Sequence, residues 1–281
     1  MLRKGIALAA LGLAFLAGPA LSASAPKEPK NVTWGFEGPF GKFDQAQLQR
    51  GYKVYREVCS ACHAMDLLYF RTLAEKGGPF YDPKYPNPND NPYVKALAAD
   101  VQVSDVDSET GDTIQRPATT ADKFPNPFPN EAAARASNGG AVPPDLSVIT
   151  KARSGGPQYI YSLLTGYVNP PAGLAVPPGA YYNPYFPGDL TAYWSGDHHN
   201  VPKGGTLAMP PQLADGKVTF DDGTPSTIDQ QAKDVTAFLT WAAEPKMIER
   251  KTFGLGAMIY LVLFSVLLWF SYRRIWRNVA H

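Results

Sequence analysis

Residues 59–63 read "CSACH", and they hold the only two cysteines in a chain of 281 residues. Three chemistries use a Cys-x-x-Cys pair: a thiol–disulfide switch, half of a zinc site, and covalent attachment of haem. A structural zinc site needs a second ligand pair, and the remaining histidines, His198, His199 and His281, do not supply one at metal-site spacing. A redox pair belongs at a strand-to-helix junction of a βαβ unit, which this neighbourhood does not resemble. A histidine directly after the second cysteine points to c-type haem attachment. Two thiols about one helical turn apart reach the two vinyl groups of a porphyrin, and His63 then falls beneath the ring. A chain that carries a macrocycle on this turn must fold its apolar core around it.

The iron needs a second axial ligand or an open face. Five methionines are available, and most are excluded by position. Met1 belongs to the leader, Met247 lies at the membrane junction and Met258 falls inside an apolar segment. Met65 is tied to the same side as His63. Met209 remains, in "LAMPPQL", where Pro210 and Pro211 stiffen a loop able to hold a thioether. His198 and His199, in "SGDHHNVPKGG", are the alternative ligands, in a stretch that reads as a solvated loop.

Both ends of the chain speak to a membrane. Arg3 and Lys4 precede an apolar run and a cluster of small residues, the order of an export signal peptide, here residues 1–25 with cleavage after Ala25. From Thr252 to Tyr272 no residue is charged. Those 21 residues rise ~1.5 Å each as a helix, enough to cross ~30 Å of hydrocarbon. Trp269, Tyr272 and Trp276 mark the far interface, and Arg273, Arg274 and Arg277 place the tail in the cytoplasm by the positive-inside rule. Arg250 and Lys251 on the near side weaken that asymmetry without reversing it.

The expected layout is therefore a signal peptide (1–25), a periplasmic haem domain (26–245), and an anchor with a short cytoplasmic tail (246–281). The host would be a bacterial inner membrane. The net charge of +1 becomes −1 once the leader with Arg3 and Lys4 is gone, which excludes a nucleic-acid footprint.

Within the domain, Asp44 caps a helix whose Leu48, Tyr52, Tyr55, Val58 and Cys62 share one face. A second helix starts near Ser226 or Thr227, carries Val235, Phe238, Leu239 and Ala242 on one side, and stops at Pro245. A shorter helix is expected from Pro157 to Thr165. "DGKVTFDDGT" predicts a small hairpin. Residues 77–130, rich in proline and asparagine, predict an insertion of turns and extended segments on the surface. Inside it, Asp100–Asp112 carries five acids and no base, either a solvated face or a patch that steers a basic partner. The expected fold class is mainly α, a haem domain that resembles class I cytochromes c, with long Pro/Gly-rich insertions and one C-terminal transmembrane helix.

Several blocks in this order resemble the cytochrome c1 family, the membrane-anchored haem subunit of the bacterial cytochrome bc1 complex (quinol–cytochrome c reductase). They are "CSACH", "PPDLSVITKARSGGPQYIYSLLTGY" (143–167), "YYNPYFPG" (181–188), "AMPP" (208–211), "FDDGTPST" (220–227) and "DVTAFLTWAAEP" (234–245). The resemblance implies one covalent haem c, with thioethers to Cys59 and Cys62 and axial ligands His63 and Met209. It implies that Arg153 and Tyr159 approach a haem propionate, and that Pro144 and the 138–141 stretch line the group. It also implies a one-electron relay from a Rieske iron–sulfur protein to a soluble periplasmic cytochrome c, beside cytochrome b in the lipid membrane. The chain would be the electron-transfer subunit of that enzyme, with no turnover of its own. Some bacterial relatives carry an extra disulfide; with both thiols on haem this chain has none, and its Met209 loop would rest on packing and prolines alone. A free-standing tethered carrier, and a haem sensor or peroxidase with an open distal face, are the competing functions.

Overall fold

A computed structural model describes residues 25–279. The leader expected over 1–25 lies, but for Ala25, outside the described residues, as does His281.

The first helix, α1 (Gln45–Val54), is capped by Asp44, whose carboxylate accepts the Gln47 amide at 2.7 Å. It does not end at Val54. Residues Tyr55–Cys59 form one π-helical turn, in which the Ser60 amide reaches back five residues to the Tyr55 carbonyl. Such turns insert one extra residue and re-aim the side chains that follow. Four helices come next: α2 (Pro92–Ala99), α3 (Glu131–Ser137), α4 (Ile149–Ala152) and α5 (Gly156–Leu164). The last two are α6 (Ile228–Ala243), capped by Thr227, and α7 (Met247–Trp276). Two short antiparallel ribbons complete the molecule. β1 (Gln102–Val106) pairs with β2 (Thr113–Pro117), and β3 (Tyr181–Asn183) with β4 (Gly205–Leu207). The class is mainly α.

The core is organised by the crossing of α1 and α6. A methyl group added at Gly51 would stand 2.1 Å from the Asp234 carbonyl oxygen and 2.7 Å from Phe238 Cβ. Only a residue without Cβ lets the two backbones touch here. Around this point Phe238 packs against Tyr52 (5.6 Å between ring centroids), Tyr55 (5.8 Å) and Trp241 (5.6 Å). Beside it the fully buried Asp234 carboxylate accepts Arg50 Nε at 2.7 Å and the Gln230 amide at 2.9 Å, and a second Arg50 nitrogen bonds Asp222 at 2.7 Å. A buried carboxylate is tolerable only with such a set of donors.

Two local expectations need correction. Residues 77–130 are largely exposed turns and a ribbon, as expected, but the segment is rooted in the molecule: Phe80, Val94, Ala98, Ala118 and Phe124 sit in or against the main core. The segment also contains a helix, α2, started by Asn91, whose side chain accepts the Tyr93 and Val94 amides just before Pro92 locks the first turn. "DGKVTFDDGT" forms no hairpin. Its glycines Gly216 and Gly223 do take positive φ in turns, but Val218 and Phe220 are both buried, so the run lies down on the core instead of pairing with itself.

The helix α7 spans 30 residues, its most apolar 18-residue stretch has a mean hydropathy of 2.2, and it is long and apolar enough to cross a membrane. Its charged near end is engaged with the domain. Glu244 pairs with Lys151 and Arg250, Lys246 with Glu75 at 3.0 Å, and Lys251 donates to the Phe36 carbonyl at 2.6 Å. Arg250 and Lys251 are thus joints of the domain.

Candidate haem-binding site

A cavity of about 420 Å³ opens between α5, α6, the π-turn and the segments 138–153 and 207–213. Its size falls within the range of cofactor sites. Cys59, Cys62, His63, Pro144, Arg153, Tyr159 and Met209 all line it, so every site residue expected from the sequence meets in one place. The 138–141 stretch contributes Asn138 and Ala141. His198 and His199 are exposed and do not line it.

The geometry begins at the π-turn. The amides of Cys62 and His63 both return to the Cys59 carbonyl, at 3.1 and 3.0 Å, closing a tight turn that sets two thiols and an imidazole on the cavity wall. Cys59 is half-buried, and burial pushes its thiol up to about 12. Cys62 is exposed at the rim.

His63 is oriented from behind. Its Nδ1 lies 2.7 Å from the Pro144 carbonyl oxygen. A carbonyl only accepts, so Nδ1 carries the proton and the Nε2 lone pair is free to bind a metal. Burial shifts the imidazole down from its ordinary value, against the Pro144 bond and Asp145, which favours the neutral, ligating form. Asp145 holds the contact in register by accepting the amides of Asp66 (2.8 Å) and Ser147 (2.7 Å), while the Leu146 amide bonds the Ala64 carbonyl at 2.9 Å. The orienting carbonyl of Pro144 and the Asp145 clamp have no signature in residue type, and sequence reasoning missed both.

Met209 comes from another wall. The loop follows β4, which is zipped to β3 from Tyr181↔Leu207 to Asn183↔Gly205. Asn183, fully buried, ties that ribbon to α5 by donating to the Leu163 carbonyl at 2.8 Å. The Tyr167 hydroxyl donates to the Met209 carbonyl at 2.9 Å. The loop therefore does not rest on packing and prolines alone: a ribbon and a tyrosine hold it. Tyr167, whose phenol burial pushes well above its usual range, is a second residue that the sequence left unmarked.

At the rim, Gly155 (φ 83°) and Gly156 (φ 50°) reverse the chain between α4 and α5 and bring Arg153 beside Tyr159. Burial raises the Tyr159 phenol, and the Arg153 charge acts against that shift. Arg153 makes no ion pair with any described residue; its one hydrogen bond goes to the Ala152 carbonyl at 3.2 Å. A guanidinium left without a carboxylate at the edge of an apolar cavity is matched to an anionic group of a ligand.

The rest of the lining is aliphatic, with Val58, Ile149, Ile160, Leu163, Leu213 and Leu239 prominent. Water gains little in such surroundings. Two thiols, an oriented imidazole, a thioether and a free guanidinium around a large apolar slot match a covalently held haem.

Comparison with known proteins agrees. The cytochrome C1 family model matches residues 34–279. Cytochrome b/c1 of Bradyrhizobium diazoefficiens is 42% identical over 294 residues, covering 97% of this chain and 39% of that protein. A mitochondrial cytochrome c1 heme protein of Kluyveromyces lactis is 47% identical over 229 residues, 81% of this chain and 69% of the other. Cytochrome c1 of Rhodospirillum rubrum is 40% identical over 264 residues, 88% and 87% of the two chains. The chain thus spans well under half the length of the Bradyrhizobium relative. With a cavity of this chemistry and a family match over almost its whole length, the chain belongs to the cytochrome c1 family.

Proposed function

We propose that this chain holds one haem c in the cavity, through thioethers to Cys59 and Cys62, with His63 and Met209 as axial ligands. In this reading residues 26–245 form a periplasmic domain after removal of a leader, and α7 anchors it in a bacterial inner membrane with its arginine-rich end in the cytoplasm. The chain serves as the electron-transfer subunit of quinol–cytochrome c reductase. It stands beside cytochrome b, accepts single electrons from a Rieske iron–sulfur protein and delivers them to a soluble cytochrome c.

When bound, the haem supplies one-electron exchange at iron, and the protein supplies position, potential and exclusion of water. Pro144 keeps His63 in the tautomer that presents Nε2. Tyr167 and the β3–β4 ribbon fix the Met209 loop, so Met209 would be held in place to offer its thioether to a bound haem. Arg153, with Tyr159 beside it, offers a forked donor to a propionate. The aliphatic lining lowers the local dielectric and keeps solvent from the iron.

The observation that carries this reading is the convergence of all seven residues, from four separate segments, on one cavity. It is tested by Met209→Leu. The haem should stay covalently attached while its potential falls by more than ~59 mV, a tenfold change in a one-electron equilibrium, and reduction of cytochrome c slows. An unchanged potential would remove Met209 from the iron. A sensor or peroxidase with an open distal face is the competing reading; the reduced native protein would then bind carbon monoxide readily, whereas a held Met209 resists it.

A further inference from the structure

Outside α7, the most exposed large apolar side chain in the described residues is Phe40, at 75%. It sits on a turn, residues 35–41 ("GFEGPFG"), that is anything but loose. The Lys42 amide closes the turn on the Gly35 carbonyl at 2.9 Å. At Gly41 a Cβ would stand 1.9 Å from the Glu37 carbonyl oxygen, so the chain folds back on itself more tightly than any other residue allows. Phe36 turns inward and packs against Trp34 (5.5 Å) and Phe43 (4.9 Å). Phe40 is thus displayed outward from a rigid support, and none of the described residues covers it.

The position of the turn says what covers it. The Lys251 ammonium donates to the Phe36 carbonyl at 2.6 Å and to the Gly41 carbonyl at 3.4 Å, plugging the turn from beneath. Lys251 is the last charged residue before the uncharged run that begins at Thr252, and Phe253, two residues on, is 81% exposed. A lysine at that place marks the level of the lipid headgroups. The turn is therefore pinned at headgroup depth, within one lysine side chain of the anchor. Lys42, exposed beside Phe40, adds a cation of the kind that favours phosphate headgroups.

We propose that the 35–41 turn enters the periplasmic leaflet and that Phe40 buries its ring at the boundary of headgroups and acyl chains. The turn is then a second contact with lipid, which sets the tilt of the domain over the membrane. The proposal rests on the reading of α7 as a membrane anchor.

The test uses the full haem-loaded chain in vesicles of phosphatidylcholine and phosphatidylglycerol. With Cys59 and Cys62 consumed by thioethers, a single new thiol can take an environment-sensitive fluorophore at Phe40→Cys, at Leu263→Cys in mid-anchor, or at Glu109→Cys on the exposed tip of the β1–β2 hairpin. Quenching by lipid brominated high on the acyl chain is compared with quenching by aqueous iodide. We expect the lipid-to-iodide ratio at position 40 to exceed that at 109 at least threefold. A ratio at 40 equal to that at 109, with strong lipid quenching at 263, overturns the proposal and leaves the anchor standing. Protection at 40 from both quenchers means that protein covers the turn, and also overturns it. Absence of lipid quenching at 263 overturns the anchor and the proposal with it.

Discussion

Tyr167 carries more of the site than its anonymity in the sequence suggests. Among the described residues its hydroxyl is the one side-chain group bonded to the backbone of Met209. Tyr167→Phe removes a hydrogen bond worth ~1 kcal/mol and leaves the ring in place. The account expects haem content and fold to be unchanged, and carbon monoxide binding to the reduced protein to rise several-fold as the Met209 loop loosens. Binding as slow as in the native protein would mean that the ribbon alone suffices. Cys59, Cys62, His63 and Met209 were legible in the sequence because each is singled out by chemistry: the cysteines are the only two, and the other methionines are excluded by position. Arg153, Tyr159 and Pro144 were legible only by resemblance. Pro144 acts through a carbonyl, which every residue possesses, so residue type cannot reveal it.

At the scale of elements, α1 and α6 were readable from their apolar faces, Tyr52 and Tyr55 on one and Phe238 and Leu239 on the other; in the structure they touch at Gly51. Gly51→Ala should therefore be severe, since the new methyl meets backbone at Asp234 instead of a side chain that could swing aside. The expected loss is ~3 kcal/mol or more, the upper end for an overpacked core, seen as a fall in thermal midpoint at unchanged haem stoichiometry. A midpoint within error of the native one would mean that the helices separate freely. Less was readable between the helices. The π-turn leaves no mark in a pattern of three- and four-residue steps. In 77–130 the prolines and asparagines spoke for turns, while the tertiary burial of Phe80, Val94 and Phe124 decided the packing.

The acidic run in that segment proves mostly self-engaged. Asp100 pairs with Arg56, Asp105 with Arg116, and Asp107 caps its own turn by accepting the Glu109 and Thr110 amides. Arg116 also grips Asp122 through two nitrogens at 2.8 and 2.9 Å, and this pairing, first of all, holds the Asp122 carboxyl well below the usual range; it does the same, less strongly, for Asp105. Groups depressed in the fold stabilise it above their ordinary pKa of ~4 and lose that contribution as pH falls through the lower folded value. The margin of native protein over Arg116→Gln in thermal midpoint should thus be present at pH 7 and shrink below pH ~4. A margin independent of pH would assign Arg116 a packing role only.

At the scale of the whole molecule, the domain and anchor are one construction. Pro245 ends α6, α7 begins at Met247, and ion pairs of Glu244 and Lys246 with the lysine–bond at Phe36 fix the joint. The sequence showed the span through its missing charges, but Arg250 and Lys251 read there as loose interfacial charge, because their partners lie far away along the chain. In the function proposed above, a fixed joint would keep the haem cavity at a set height above the membrane. The most direct test is to solubilise membranes mildly, capture this chain by a C-terminal tag, and add quinol and cytochrome c. The account predicts that a b-type haem protein and an iron–sulfur subunit come with it, and that quinol reduces its haem and then cytochrome c. Recovery of the chain alone, with intact haem that quinol leaves oxidised, would contradict it.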